Sequence, residues 1–307
     1  MPGQILLGTA SWTDKPLIES GRFYPESART PEERLRYYAS QFPLVEADTT
    51  YYGLPQQSMV QNWAERTPDG FTFDVKAYSL FTEHPAPVQR LPKDIQQMLP
   101  KNLASVRNLY RKDAPPDIID ACWSTFIDGV LPLHDRGKLG VVVFQFPKWV
   151  FPNRRTWDYF EEIRHRLGPY RAAFEFRNDV WMRADNREDT LARLGDLGFT
   201  YICVDEPQGF SSSVPPVVAA TTDIGFVRFH GRNRQTWEKR TKTSSERFDY
   251  WYKPEEFDEW LPGFRDLASN TREVHAVMNT NNYDQGPENL RRLGERLRAA
   301  GLPLKSP

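Results

Sequence analysis

The stretch Phe226-Val227-Arg228-Phe229-His230-Gly231-Arg232 sets two guanidinium groups and an imidazole within five positions. Read with the two-residue period of a β-strand, Phe226, Arg228 and His230 face one way and Val227 and Phe229 the other. A buried strand that turns Arg and His inward must pair or hydrate them, because an unpaired buried charge costs several kcal/mol. Gly231 permits a sharp turn, and Arg232 follows at once. Such a cationic strand end calls for an anion, either the protein's own carboxylates or a ligand.

Comparable polar residues close other apolar, period-two runs. Glu46 and Asp48 end the run Leu44 to Asp48, and Lys76 ends Phe71 to Ala77. Gln145 ends Leu139 to Phe146, Glu175 and Arg177 end Arg171 to Arg177, Asp205 ends Thr200 to Asp205, and Asn279 ends Glu273 to Asn279. With Ile5 to Ala10 and the strand ending at His230, these make eight strands. Between them run helical patterns. Thr30-Pro31-Glu32-Glu33 opens one with a capping box, and others are expected from about Pro55, over 116–134, 156–167 and 188–197, and through Leu290, Leu293 and Leu297. Eight strands alternating with helices, apolar on one face and polar at the carboxyl end of the other, predict an α/β (β/α)8 TIM-like barrel. The pattern predicts one domain over 1–307, irregular in two places. A long insertion, about 80–138, separates strands three and four, and the segment between strands six and seven is too short for more than a helical turn.

In such a barrel the polar strand ends converge on one mouth. The expected catalytic set is His230 and Glu175 as general acid or base, with Asp205 and the assisting Lys76. Arg177, Arg228 and Arg232 would bind an anion, Glu46 and Asn279 would complete the substrate contacts, and Trp12, Tyr51 and Trp181 would pack the substrate. A plainer expectation stands beside this one: a salt-bridge network in which Glu175 and Asp205 hold Arg177 and Arg228. Residues 232–247 add Arg232, Arg234, Lys239, Arg240, Lys242 and Arg247 against Glu238 and Glu246, a local +4 with Trp237 among them. Such a loop suits phosphates and a stacked base or sugar, and equally a solvated surface loop. Glu46, Glu175, Asp205 and His230 would also make an oxygen-rich site for Mg2+ or Mn2+, although the interleaved arginines already compensate those carboxylates. No metal site is therefore expected, and no cofactor is indicated.

Composition narrows the classes. The chain has 307 residues and a formal net charge of −1, so no global field draws it to nucleic acid or membrane. No apolar run approaches the roughly 20 residues of a membrane span. The first residues lack a basic region and a long apolar run, so no signal peptide is expected. Cys122 and Cys203 are the only cysteines and follow no metal or redox spacing. A cytoplasmic protein is expected. There is no G-x-S-x-G elbow, Walker loop or dinucleotide-binding fingerprint.

An ordered set of short motifs resembles the YecE-like proteins, a family also described as domain of unknown function 72. The matching residues are Gly8-Thr9-Ala10-Ser11-Trp12, Phe23-Tyr24-Pro25, Tyr37-Tyr38-Ala39, Glu46 with Thr50-Tyr51-Tyr52, Leu54-Pro55, Trp63, and Thr67-Pro68. Phe73 with Lys76, Thr82 with His84, Gln145-Phe146-Pro147, Glu175-Phe176-Arg177 with Trp181, and Asp205-Glu206-Pro207 follow. Arg228-Phe229-His230-Gly231-Arg232 and Asn279 with Asn281-Asn282 complete the set. Each is weak alone; about a dozen in order cover nearly the whole chain. The resemblance implies a TIM-like barrel and supplies no reaction. Asp48 stands where the family more often has Asn, adding a negative charge.

The expected function is an enzyme acting on an anionic, phosphate-bearing substrate, by phosphoester cleavage or a related nucleic-acid reaction. Two alternatives stand beside it: a non-catalytic nucleic-acid-binding protein using the 232–247 loop, and a divalent-metal sugar isomerase or epimerase. The expected partner is an anionic small molecule or nucleic acid, not a membrane.

Overall fold

The structure is a computed structural model and describes residues 2–239 and 244–307. Eight parallel strands close a barrel in chain order: β1 (Gln4–Thr9), β2 (Leu44–Ala47), β3 (Thr72–Lys76), β4 (Leu139–Phe146), β5 (Ala172–Phe176), β6 (Phe199–Asp205), β7 (Ile224–Phe229) and β8 (Glu273–Met278), which pairs back onto β1. Seven longer helices pack outside: α1 (Pro31–Ala39), α2 (Gln57–Glu65), α3 (Pro116–Asp135), α4 (Arg154–Leu167), α5 (Ala184–Asp196), α6 (Leu261–Asn270) and α7 (Gln285–Ala299). The Thr30 capping box opens α1 as the sequence predicts, with Thr30 Oγ1 accepting from the Glu33 amide. No helix lies among 206–223, so β6 and β7 are joined by irregular chain, as expected.

The segment between β3 and β4 is organised differently from the expectation. Its long helix α3 packs against α2, where Gly129 lies so close to Pro55 that a Cβ would sit 2.4 Å from the Pro55 carbonyl oxygen. Helix α3 is thus the barrel's own third helix. The added chain is the short-element region before it, where Ala86–Pro87 pairs antiparallel with Asn108–Leu109.

Strand registers define what points inward. Glu46 is level with Asp74, Lys76 with Val143, Gln145 with Glu175, Val204 with Arg228, and Phe226 with His275. Outward residues such as Phe174, Phe176 and Phe229 bury themselves against the helices: Phe174 and Phe176 pack on Phe160 of α4, and Phe229 on Phe264 of α6. The inner space holds two polar layers. In the lower one, buried His275 Nδ1 lies 2.9 Å from buried Asp74 Oδ2, and Asp74 Oδ1 also accepts from the Val141 amide. Gly140 makes room for the pair, since a Cβ there would come within 2.4 Å of Asp74 Oδ1. The upper layer forms the mouth.

Candidate functional site at the barrel mouth

Glu175, at the end of β5, is the hub of the upper layer. Its Oε1 accepts from Gln145 Nε2 at 2.6 Å and lies 2.8 Å from Arg177 Nε and 3.0 Å from His230 Nε2. Its Oε2 accepts from Arg228 at 2.7 Å, and the same guanidinium donates at 2.6 Å to Glu46. Glu175, Glu46 and Arg228 are buried. Burial alone raises the Glu175 carboxyl pKa, but Arg177, His230 and Arg228 together bring it well below its ordinary value. A carboxylate with both oxygens engaged and a depressed pKa is a poor proton acceptor.

His230 departs from its expected role for the same reason. Burial, then the neighbouring Arg177 charge, lowers its pKa to about 3, so the ring is neutral. Its Nε2–H points to Glu175, and its Nδ1 is 2.9 Å from Asn279 Nδ2, an arrangement in which Asn279 donates. Such a ring orients its neighbours; at neutral pH it has no proton to give as an imidazolium.

The groups poised near neutrality are different ones. Burial raises the Glu46 pKa to about 7 against the pull of Arg228 and Lys76, and its Oε2 has no hydrogen-bond partner among the described residues. Lys76 is half-buried, with Nζ 3.2 Å from Gln145 Oε1 and 4.8 Å from the centre of the Tyr51 ring. Burial, and next the Arg228 charge, lower its pKa to about 8. Asp48 is also raised, chiefly by burial.

Asp205 and Arg232 are brought together, but not into the mouth. In β6 the inward positions are the apolar ones, Ile202 and Val204, while Asp205 faces out with Cys203. There its carboxylate accepts from Arg232 Nη2 at 2.6 Å, from Tyr252 Oη at 2.7 Å and from Trp260 Nε1 at 2.7 Å. Arg232 is further held by Glu259 at 2.8 Å. Together they clamp the loop after β7, which leaves the strand through Gly231 at φ +82°. The inward acid of this strand end is the next residue, Glu206, which the sequence reading did not select. The two-residue parity of Ile202 and Val204 carries that signal. Glu206 pairs with Arg177 at 2.5 Å and accepts from the Val214 amide, and burial raises its pKa to about 8.

The aromatic expectations divide. Tyr51 does face the mouth, its ring over Lys76 and 5.4 Å from that of His84. Trp181 does not: it is fully buried, stacked on Phe176 at 4.2 Å, with its indole N–H given to the Val150 carbonyl. Trp12 is buried edge-on against Trp63 and lines a separate groove beside α1 and α2. Arg228, expected to bind an anion, is only 1% exposed and serves Glu46 and Glu175 instead.

Over this layer opens a cleft of about 320 Å³. Gln145, His84 and Arg177 form its inner side, and Lys148, Trp149, Trp237, Arg247 and Phe248 its walls. Arg177 lies 4.9 Å from the centre of the Trp237 ring. Glu238 also lines the cleft and accepts from Ser212. Arg247 Nη2 donates to the Lys239 carbonyl at 3.3 Å, while its Nε is buried with no hydrogen-bond partner among the described residues. Of the basic loop, Arg247 therefore reaches the cleft, Arg232 is clamped, and Arg234 is given to the Gln208 carbonyl. Arg240 and Lys242 lie outside the described residues.

The four donors considered for a metal are not assembled: Arg228 stands between Glu46 and Glu175, and Asp205 is on the outer face. Among the described residues no group of three acidic, His or Cys side chains is arranged to hold a metal ion. Among them, too, no helix is long and apolar enough to cross a membrane.

The closed parallel barrel and its charged mouth define a TIM-barrel protein. The chain belongs to the family described as Protein of unknown function DUF72, whose model matches residues 6–307. It is 29% identical over 297 residues to UPF0759 protein YunF of Bacillus subtilis (strain 168), covering 95% of this chain and 94% of that protein. Among solved structures, a DUF72 family protein of Enterococcus faecalis superposes with a TM-score of 0.77 at 25% identity, covering 96% of each chain. One of Thermotoga maritima superposes with a TM-score of 0.75 at 26% identity, covering 96% of this chain and 99% of that one.

Proposed function

We propose that the chain is an enzyme acting on an anionic, phosphate-bearing substrate held in the cleft over the barrel mouth, with phosphoester cleavage as the reaction class. The observation that carries this is the cleft itself. It gathers Arg247, Lys148 and Arg177, the last also paired with Glu175 and Glu206, beside Glu238 and between aromatic walls, and its Gln145 bonds Lys76, a half-buried lysine whose pKa is displaced toward neutrality. Guanidinium groups match phosphoryl oxygens and offset charge that builds on them in the transition state. Lys76 is the proton-transfer group, neutral in part at physiological pH. Glu175, His230 and Glu206 hold Arg177 in place, with Asn279 bonded to His230 behind it, and touch no substrate. Phosphorus NMR of a panel of phosphomonoesters and phosphodiesters tests this. Turnover by the wild type that is lost in Lys76→Met with the melting temperature unchanged supports it, and no turnover across the panel counts against it.

A second reading, a nucleic-acid-binding protein, draws on Trp149 and Phe151, which are 54% and 47% exposed. Trp149 also borders a neighbouring cleft lined by Arg111, Lys112 and Arg155. Basic clefts joined by exposed rings suit a single strand, its bases stacking and its phosphates neutralised. Its mark is an affinity for single-stranded oligonucleotides that falls steeply with salt, by about 0.7 log units per phosphate neutralised for each tenfold rise; a flat dependence contradicts it.

A further inference from the structure

Lys76 differs from the other buried-side lysine of the barrel in what holds its proton. Lys138 gives its ammonium to three acceptors, the carbonyls of Ala64 and Thr67 at 2.7 Å each and Thr67 Oγ1 at 3.2 Å. Lys76 bonds only Gln145 Oε1 and forms no ion pair among the described residues, although Glu46 and Glu175 are nearby. Glu46 and Glu175 each bond Arg228, and burial with the Arg228 charge lowers the Lys76 pKa against the opposing pull of Glu46, Asp48 and Glu175. Tyr51 covers one side of Nζ, and Gln145 connects it to the floor of the cleft. A desolvated amine at the end of a barrel strand, beside a second cation and held by a single neutral acceptor among the described residues, is the arrangement in which lysine becomes a nucleophile.

We propose that Lys76 forms an imine with the carbonyl carbon of an aldehyde or ketone whose anionic group sits on Arg177 and Arg247. The assignment rests on the anion-binding reading of the cleft and gives Lys76 a covalent step in place of simple proton transfer. The Nζ lone pair attacks the carbonyl carbon as the C=O π pair moves to oxygen. The oxygen takes up the proton that nitrogen sheds, giving a carbinolamine. A second proton then lets that oxygen leave as water while nitrogen's pair forms C=N. One amine, one carbonyl and one proton from solvent enter, one protonated imine and one water leave, and no oxidant or reductant is consumed. The protonated imine draws electrons from the neighbouring carbon, which weakens its bonds to hydrogen, carbon or a leaving phosphate.

The test is reductive trapping of the full-length protein with glyceraldehyde 3-phosphate or unphosphorylated glyceraldehyde, each with sodium cyanoborohydride, read by peptide mass spectrometry. The proposal expects one adduct per chain on the Lys76 peptide, formed at least tenfold faster with the phosphorylated aldehyde, with a rate that rises through about pH 8. Lys76→Arg, checked for an unchanged melting temperature, removes it, and Arg247→Gln brings the two aldehydes to equal rates. Labelling of Lys76 by neither aldehyde faster than surface Lys15 or Lys93 overturns the proposal. Fast labelling by both aldehydes alike overturns the anionic substrate class and leaves the nucleophile assignment standing.

Discussion

Arg228 Nη2 lies 2.6 Å from Glu46 Oε1, joining β7 to β2 across the barrel with both side chains buried. With Glu175 on its other nitrogen, this guanidinium is a strut beneath the site. Removing one partner of a buried ion pair strands the others and costs about 3–5 kcal/mol. Arg228→Ala is therefore expected to lower stability by that amount in chemical denaturation. A loss below about 1 kcal/mol would return Arg228 to the ligand-binding groups.

Asp205 is expected to behave as a structural residue. Asp205→Ala leaves the buried Tyr252 hydroxyl and Trp260 N–H without their acceptor and frees Arg232. Two stranded donors cost roughly 1–3 kcal/mol each. Denaturation should show a loss of at least about 2 kcal/mol, and limited proteolysis should show faster cleavage within 232–252. Unchanged stability with lost turnover would instead make Asp205 a chemical group.

The lower layer gives a pH signature. Burial pulls the His275 pKa down, but Asp74 and Glu273 raise it to about 9 from the ordinary 6.5. A histidine whose folded pKa is raised stabilises the fold fully below its unfolded pKa and loses that contribution as pH rises through the folded one. The stability difference between wild type and His275→Gln is thus fully present below about pH 6.5 and shrinks as pH rises toward 9–10, by up to about 3 kcal/mol at roughly 1.4 kcal/mol per pKa unit. Parallel pH profiles for the two proteins would show that His275 is neutral in the fold.

Trp149 is held by one rim hydrogen bond, from its indole N–H to the Glu83 carbonyl at 3.2 Å, and more than half its surface faces solvent. Trp149→Ala should change stability by no more than about 0.5 kcal/mol. It should also weaken nucleotides more than inorganic phosphate in fluorescence or calorimetric titration, since stacking on an aromatic ring is worth about 1–3 kcal/mol per base. Equal weakening of both would assign Trp149 to the cleft's shape alone.

The barrel was legible because each strand carries a two-residue pattern with polar ends, a signal that survives without knowledge of neighbours. Helix α6 was missed although Phe264, Leu267 and Ala268 repeat at helical spacing, because Pro262 and Gly263 stand in its first turn. At the mouth, Glu46, Lys76, Gln145, Glu175, Arg177, Arg228, His230 and Asn279 do come together. Glu175 holds Arg177 and Arg228, as the plainer salt-bridge expectation has it, and Glu46 joins them; which charge meets which depends on register across the barrel. Asp205 was misplaced by taking polar as inward; the apolar Ile202 and Val204 show that β6 has the opposite parity, which points to Glu206. The Asp74–His275 pair lies 201 positions apart in the chain, so closure alone brings it together.

Isothermal titration of ribose 5-phosphate into the wild type and Arg247→Gln tests the anion-binding cleft most directly. Arg247 is the cation of choice because among the described residues it forms no ion pair with a carboxylate. Saturable binding by the wild type, weakened at least tenfold in Arg247→Gln, is expected, with unsubstituted ribose binding neither. Equal affinity of the two proteins for ribose 5-phosphate, or no binding by either, would contradict it.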